Sequence, residues 1–512
     1  MLFALLVAVS SVMLGAALSF TPTSRGLLGY MRTFATLAAV AVVVTHLLPE
    51  ALHDLGPLSI LLFLMGWFAP VLAHLIGQRS TSGRPAHAVL EAGYWGLVIH
   101  HVADGIGLGT YTRLPAAHGS HLDVIVALAA HTVPLIAVVS LAYRTTFGAR
   151  SALIRSLGLA LASVFGIGLS SLAQAHTIER LAPVIAAVAA GLLLHVVTHD
   201  LTEDPPLGLF SRALDLVVAA LGVAVSLLGI EQSAAPATWA FAQCLVGLME
   251  RAAIVTLLGL ALAALTLRAS NPHSKVWRAV GPAGALGPES ILLGVSLLGF
   301  ASTALRLALT VAAIALFGAS HEDETGDHRR FGWLARVSEV LARCGPWLVV
   351  GFLVSALLST VPPSELSRRL AGSLPELLLI ALVANVTPVA APAALLIATG
   401  LGTLGLSAGA VLLFASLSPL LVGRSLTLGQ RAALTLLACA VALLCNRLQV
   451  TGAPLDGSLG TGDVRLLAAL ALAALLLFGI FQRGARVWLS RIVKTPAHEH
   501  EHAHDVHGPH AH

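Results

Sequence analysis

Apolar residues run along this chain in blocks about as long as a bilayer is thick, cut by short stretches of Arg, Pro, Gly and acids. A helix crosses the ~30 Å hydrocarbon core with ~20 residues. Blocks of that order near 1–20, 29–48, 57–76, 88–110, 122–143, 152–174, 178–199 and 210–230 predict eight spans in a first half. Blocks near 238–267, 289–318, 345–361, 375–400, 405–423, 428–446 and 464–482 predict seven in a second. Pro388 and Pro392 interrupt one of these, which reads as a broken or re-entrant helix lining a cavity. The prediction is an all-α polytopic membrane bundle of about 15 spans, not a barrel. Its parts are a transmembrane domain over 1–232, a second over 233–490 and a tail over 491–512. Between spans, 319–344 reads as a polar loop carrying His321 to Arg330.

Composition excludes a soluble class: 57% of the residues are apolar and 11% charged, far from the balance of a soluble domain. A net charge of +4 over 512 residues leaves no nucleic-acid surface. The first block has no Lys or Arg ahead of it and reads as a retained span, not a signal peptide. Cys244, Cys344, Cys439 and Cys445 show no CxxC spacing and predict neither disulfides nor a thiolate site.

Charge placement orients the chain. With the N-terminus outside, Arg25, Arg32, Arg79, Arg84, Arg144, Arg150, Arg155 and Arg212 fall on the cytoplasmic side, against Arg113 and Arg180 outside. An odd number of spans in the second half brings the tail to the cytoplasm as well. The expected location is a bacterial cytoplasmic membrane.

An ionisable group inside a span costs several kcal/mol unless it pairs, binds an ion or faces water. The fourth block holds three such groups, His100, His101 and Asp104. His100 and Asp104 stand one helical turn apart, so two imidazoles and a carboxylate can converge on one cation, the ligand chemistry of zinc and its neighbours. Gly105, Gly107 and Gly109 follow and would admit a second helix closely. His131 in the fifth block completes a core set of His100, His101, Asp104 and His131. A hydrogen-bonded structural histidine is the alternative at His131. At the outer mouth, His46, Glu50 and His53 form one stripe with Asp54 adjacent, which a solvated helix end would also explain. At the inner end His195 and His199 lie one turn apart, followed by Asp200. In the tail, His498, His500, His502, His504, His507, His510 and His512 alternate with Glu499, Glu501 and Asp505. That tract cannot build a core and suits loose metal capture.

On these residues the region 1–230 resembles the ZIP family of metal-ion transporters, eight-span proteins that carry zinc, iron or manganese toward the cytoplasm. The family's fourth-span pattern, His-Asn followed after two residues by an acid and Gly, is similar to His100-His101-Val-Ala-Asp104-Gly105, with His101 where Asn is usual. The second-span HLLPEA and the seventh-span AAGLLLHVVTHDL are also similar. In the fifth span the family's His-Glu-x-Pro-(His or Glu) reads His131-Thr132-Val133-Pro134-Leu135, so two of its metal-binding positions carry residues that bind metal poorly. The resemblance therefore implies one site, not a binuclear one.

Residues 238–447 resemble a permease family that includes arsenical and metal-efflux permeases, on Gly287–Phe300, Cys344–Gly372 and Asn385–Pro419. That family often has a Cys-containing, Gly-rich turn where this chain has Ala384-Asn385-Val386-Thr387, so thiolate chemistry is not implied. Asn385, Thr387 and Pro388 remain candidates for a broken-helix pathway.

The expectation is a transporter, not an enzyme, for a divalent cation, with Zn²⁺ the leading candidate as substrate and no prosthetic group. No P-loop points to ATP coupling. The lipid bilayer and the metal ion are the expected partners, nucleic acid is not, and a homodimer is open. A membrane metal sensor with degenerate sites, and an efflux permease with a ZIP-like accessory half, are the competing readings.

Overall fold

In hydrocarbon an exposed N–H or C=O finds no partner, so a long Leu- and Ala-rich block has one favourable backbone, the helix. The computed structural model describes residues 2–20, 25–56, 58–78, 85–111, 122–172, 175–199, 208–227, 236–269, 284–317, 332–422, 426–450 and 460–493, and these form helices and turns with no strand. Eight of the described helices are long and apolar enough to cross a membrane. The chain is an all-α polytopic membrane bundle. It divides into two compact units, Met1–Phe241 with Gly484–Val487, and Ala242–Arg483 with Trp488–His512.

The first unit contains α1 (Leu2–Phe20), α2 (Arg25–Val42), α3 (Leu48–Leu55), α4 (Leu58–Gln78), α5 (Pro85–Tyr111), α6 (Leu122–Phe147), α7 (Ala149–Leu172), α8 (Ala175–His199) and α9 (Leu209–Leu227). A π-helical turn, Val43–Leu47, joins α2 to α3. Pro49 explains it: with no N–H there, the Thr45 carbonyl loses its helical partner and the ladder widens. The helices pack as pairs, α1 on α6, α2 on α9, α4 on α8 and α5 on α7.

Glycines set how closely those pairs approach. A Cβ on Gly105 would collide with the Ser163 carbonyl, and one on Gly166 with the Val102 carbonyl, so α5 and α7 touch backbone to backbone. Gly66 and Gly191 do the same for α4 and α8, and Gly15 brings α1 against the Val133 carbonyl of α6. Elsewhere along the α5 and α7 pair the Arg155 guanidinium binds Glu91 at 2.8 Å and lies 4.6 Å over the Tyr94 ring. The Tyr143 hydroxyl donates to the Leu90 carbonyl, which ties α6 to the same place.

The second unit is built from α10 (Pro236–Ala269), α11 (Pro288–Leu298), α12 (Phe300–Phe317), α13 (Trp333–Ser359), α14 (Glu365–Leu370), α15 (Leu374–Val386), α16 (Ala391–Thr403), α17 (Ala408–Leu421), α18 (Leu428–Arg447), α19 (Gly462–Arg483) and α20 (Ala485–Val493). The boundary between the two units falls within the first turns of α10, and the chain crosses it again within α20, whose residues up to Val487 belong to the first unit.

Two sequence expectations need correction here. The block 289–318 is not one span: Gly299 adopts φ 80° and divides it into α11 and α12. At 1.5 Å per residue α11 is about 16 Å long, half a bilayer core. The segment before 345, expected in a polar loop, is helical from Trp333. Its polar residues are tied in place, since Glu339 accepts from Arg343 at 2.9 Å and from Arg483 of α19 at 2.6 Å. The break anticipated at Pro388 is present between α15 and α16. Proline disfavours a helical residue before it, and Thr387 sits at φ −120°, ψ 69°.

Candidate functional site

Asp104 is the residue on which the first unit's polar interior turns. The lengthwise stacking expected on α5 is realised: His100 Nε2 lies 3.2 Å from Asp104 Oδ2, with the two side chains 2% and 11% exposed. His101 turns another way. Its Nδ1 is 3.1 Å from Ser163 Oγ on α7, and its ring stands at 62° to that of His100 with centroids 5.8 Å apart. The Gly105–Gly166 crossing is what places Ser163 within that reach.

His101 and Asp104 face a small cavity of about 10 Å³, room for roughly one water-sized sphere. Ser11 of α1, Thr132 of α6 and Ser163 of α7 complete its polar lining, and Val7, Ala8 and Leu108 its apolar lining. A carboxylate, an imidazole and three hydroxyls thus share one enclosure between four helices. Among the described residues no group of three His, Cys, Asp or Glu is gathered tightly enough to hold a metal ion. His100 meets Asp104 away from the cavity lining, and the His131 side chain lies outside what is described, although its backbone belongs to α6. Sequence reasoning discounted Thr132 as a poor ligand and passed over Ser11 and Ser163. The available signal was a hydroxyl inside an apolar span; which helix faces which was not readable.

The expected mouth is described only in part. Glu50 and His53 are exposed on α3, and His53 Nδ1 pairs with its neighbour Asp54 Oδ1 at 2.9 Å. The His46 side chain lies outside the described set, with its backbone in the π-helical turn. At the other end, His195 makes an edge-on ring contact with Trp67 of α4, centroids 5.7 Å apart. The His199 side chain, Asp200 and the tail histidines fall outside the described residues.

In the second unit the broken-helix candidates are brought to one place by Ser418 of α17. Its hydroxyl accepts from the Val389 amide at 2.9 Å and donates to the Thr387 carbonyl at 3.2 Å, which satisfies backbone groups that the Pro388 break sets loose. Asn385 donates to Thr435 Oγ1 of α18 at 3.1 Å and to the Ala381 carbonyl at 2.9 Å. Thr387 Oγ1 donates back to the Val383 carbonyl. These side chains are engaged in holding the break.

Buried charge in this unit lies elsewhere, and sequence reasoning missed it. Glu376 of α15, 1% exposed, accepts from the Gly372 amide, the Ser407 amide and Ser407 Oγ at 2.8, 2.9 and 2.6 Å. Glu289 of α11 and Arg306 of α12 are 2% and 0% exposed. The signal was plain in retrospect: Arg306 is the one charge in the apolar block 300–317.

Fold and site together define an integral membrane protein of helices with ionisable side chains buried inside each unit. Comparison with known proteins adds no family: no family model, curated protein or solved structure matches the chain.

Proposed function

We propose that this chain is a membrane carrier for a divalent metal cation, Zn²⁺ foremost, with the first unit holding the transport site. The observation that carries the reading is the pair His101 and Asp104 facing a small cavity between α1, α5, α6 and α7, with buried His100 behind the carboxylate. Burying three ionisable groups within a span is costly, and a cation passing among them is a use that repays it. Imidazole and carboxylate are zinc's ordinary ligands, at ~2.0–2.2 Å. In this reading Asp104 supplies the negative charge, His101 leaves Ser163 to face the ion, and His100 orients the carboxylate from behind. His131 on α6 supplies a further nitrogen. The lipid bilayer is the surrounding partner, and the N-terminus lies outside.

Uptake of radiolabelled zinc into proteoliposomes tests the proposal, with His100→Ala and Asp104→Ala as controls. Wild type should accumulate zinc and both variants should fall to the level of empty vesicles. Equal uptake in wild type, variants and empty vesicles would end the reading.

A further inference from the structure

Of the helices that line the first unit's cavity, α5, α6 and α7 meet again at one end of the unit. That meeting lies about 20 Å along α5 from Asp104, at 1.5 Å per residue, and begins at Glu91. The Arg155 guanidinium of α7 binds Glu91 at 2.8 Å and lies 4.6 Å over the Tyr94 ring of α5 and 5.5 Å over the Tyr143 ring of α6. The two tyrosine rings meet edge to face, centroids 5.8 Å apart. The Tyr94 hydroxyl donates to the Arg155 carbonyl at 3.3 Å, and that of Tyr143 to the Leu90 carbonyl at 3.2 Å. Gly158 makes the room, since a Cβ there would collide with the Tyr94 hydroxyl. One guanidinium thus ties three helices together.

Between this point and the cavity each of the three helices contributes a buried apolar side chain, Leu97 of α5, Ile136 of α6 and Leu159 of α7, in one core cluster with Tyr94 and Tyr143. The order along each helix is the same: a cavity residue, an apolar residue, then a member of the tyrosine and arginine set. An apolar constriction sheds water, so a hydrated ion does not pass it. Tyr94 and Tyr143 are buried, whereas Glu91 and Arg155 are about one-third exposed, at 34% and 31%. The set is therefore apolar on its inner side and charged where it meets water. Trp95, exposed beside Tyr94, suits the membrane–water boundary at the same level. A partly exposed ion pair with stacked rings holds weakly, so it closes the end of the unit without fixing it shut. The firm contact between α5 and α7 is the backbone crossing at Gly105 and Gly166, nearer the cavity.

We propose that Glu91, Arg155, Tyr94 and Tyr143 form a gate between the cavity and one face of the membrane, closed while Arg155 bridges Glu91 and the two rings, and open when that pair separates and the ends of α6 and α7 part from α5. A cation leaving the cavity supplies the trigger, because its charge repels the guanidinium and competes for the Glu91 carboxylate. The gate's purpose rests on the carrier reading of the first unit. In the orientation given above it is the cytoplasmic gate.

Thiol accessibility in the purified full-length protein in detergent tests it, with Ser11→Cys on the α1 side of the cavity as the reporter. The reagent is 2-(trimethylammonium)ethyl methanethiosulfonate, and mass spectrometry of the digested protein reads each thiol separately. With Glu91 and Arg155 intact the Ser11→Cys thiol should react slowly. Adding Glu91→Gln should speed it about tenfold, the shift expected when a partly exposed ion pair and the stacking it orders are lost. Exchanging the charges, Glu91→Arg with Arg155→Glu, should restore the slow rate. The four native cysteines lie in the second unit and should keep their rates throughout. Equal rates with and without Glu91→Gln, an acceleration that the exchanged pair does not reverse, or one that the native cysteines share would overturn the gate. Zinc flux does not enter this readout, so failure of the gate and failure of the carrier reading are seen separately.

Discussion

His100 and Asp104 meet one turn apart inside α5, with Nε2 3.2 Å from Oδ2 and both side chains shut away from the surface. The contact makes the carboxylate's orientation depend on the imidazole. His100→Gln should therefore weaken zinc uptake less than Asp104→Asn, which removes the carboxylate that lines the cavity. Initial rates in proteoliposomes at subsaturating zinc give the comparison, with Asp104→Asn reduced at least tenfold, about 1.4 kcal/mol. The reverse order would make His100 the primary ligand.

Metal linkage gives a second measurement that needs no transport. A ligand at one hundred times its dissociation constant stabilises the folded state by about 2.7 kcal/mol. Zinc should raise the melting temperature of the purified wild type and a chelator should reverse the rise. Asp104→Ala should show neither effect.

The α5 and α7 crossing predicts a contrast between two glycines on α7. Gly166→Ala drives a methyl into the Val102 carbonyl and should destabilise by about 1–3 kcal/mol, while loosening the His101–Ser163 contact. Gly168 has nothing within 4 Å of the corresponding position. Gly168→Ala should leave thermal unfolding unchanged or slightly improved, by up to about 1 kcal/mol.

Glu376 predicts the largest loss in the second unit. Glu376→Ala leaves three donors at the starts of α15 and α17 without their acceptor, at about 1–3 kcal/mol for each one buried. Ser407→Ala removes one of those donors together with a helix cap and should cost about 1 kcal/mol. Thermal unfolding in detergent orders the two variants.

The break after α15 is tested by two neighbouring serines. Ser418→Ala strands the Val389 amide and should cost about 1–3 kcal/mol. Among the described residues Ser416 bonds back to the Leu412 carbonyl four residues earlier, so Ser416→Ala should change stability by a few tenths of a kcal/mol at most.

Hydropathy made the membrane bundle legible because lipid leaves the backbone no alternative to the helix, and helical spacing made His100 and Asp104 legible because i and i+4 stack whatever the tertiary fold. The break at Pro388 was readable for a similar local reason. Gly299 was not, since a glycine inside an apolar block looks the same whether its φ is negative or 80°. The roles of Ser163 and Thr132 depend on which helices cross, which no local pattern encodes. Arg306 and Glu289 were visible as charges but lay in different blocks, and their relation appears only once Gly299 folds α11 back beside α12.

That fold at Gly299 also bears on how the chain is made. A segment as short as α11 is too brief to be held across the membrane by its own apolarity as it leaves the ribosome. It enters only as the companion of α12, which means that the arginine at the heart of the pair must be carried into the bilayer together with its glutamate rather than ahead of it.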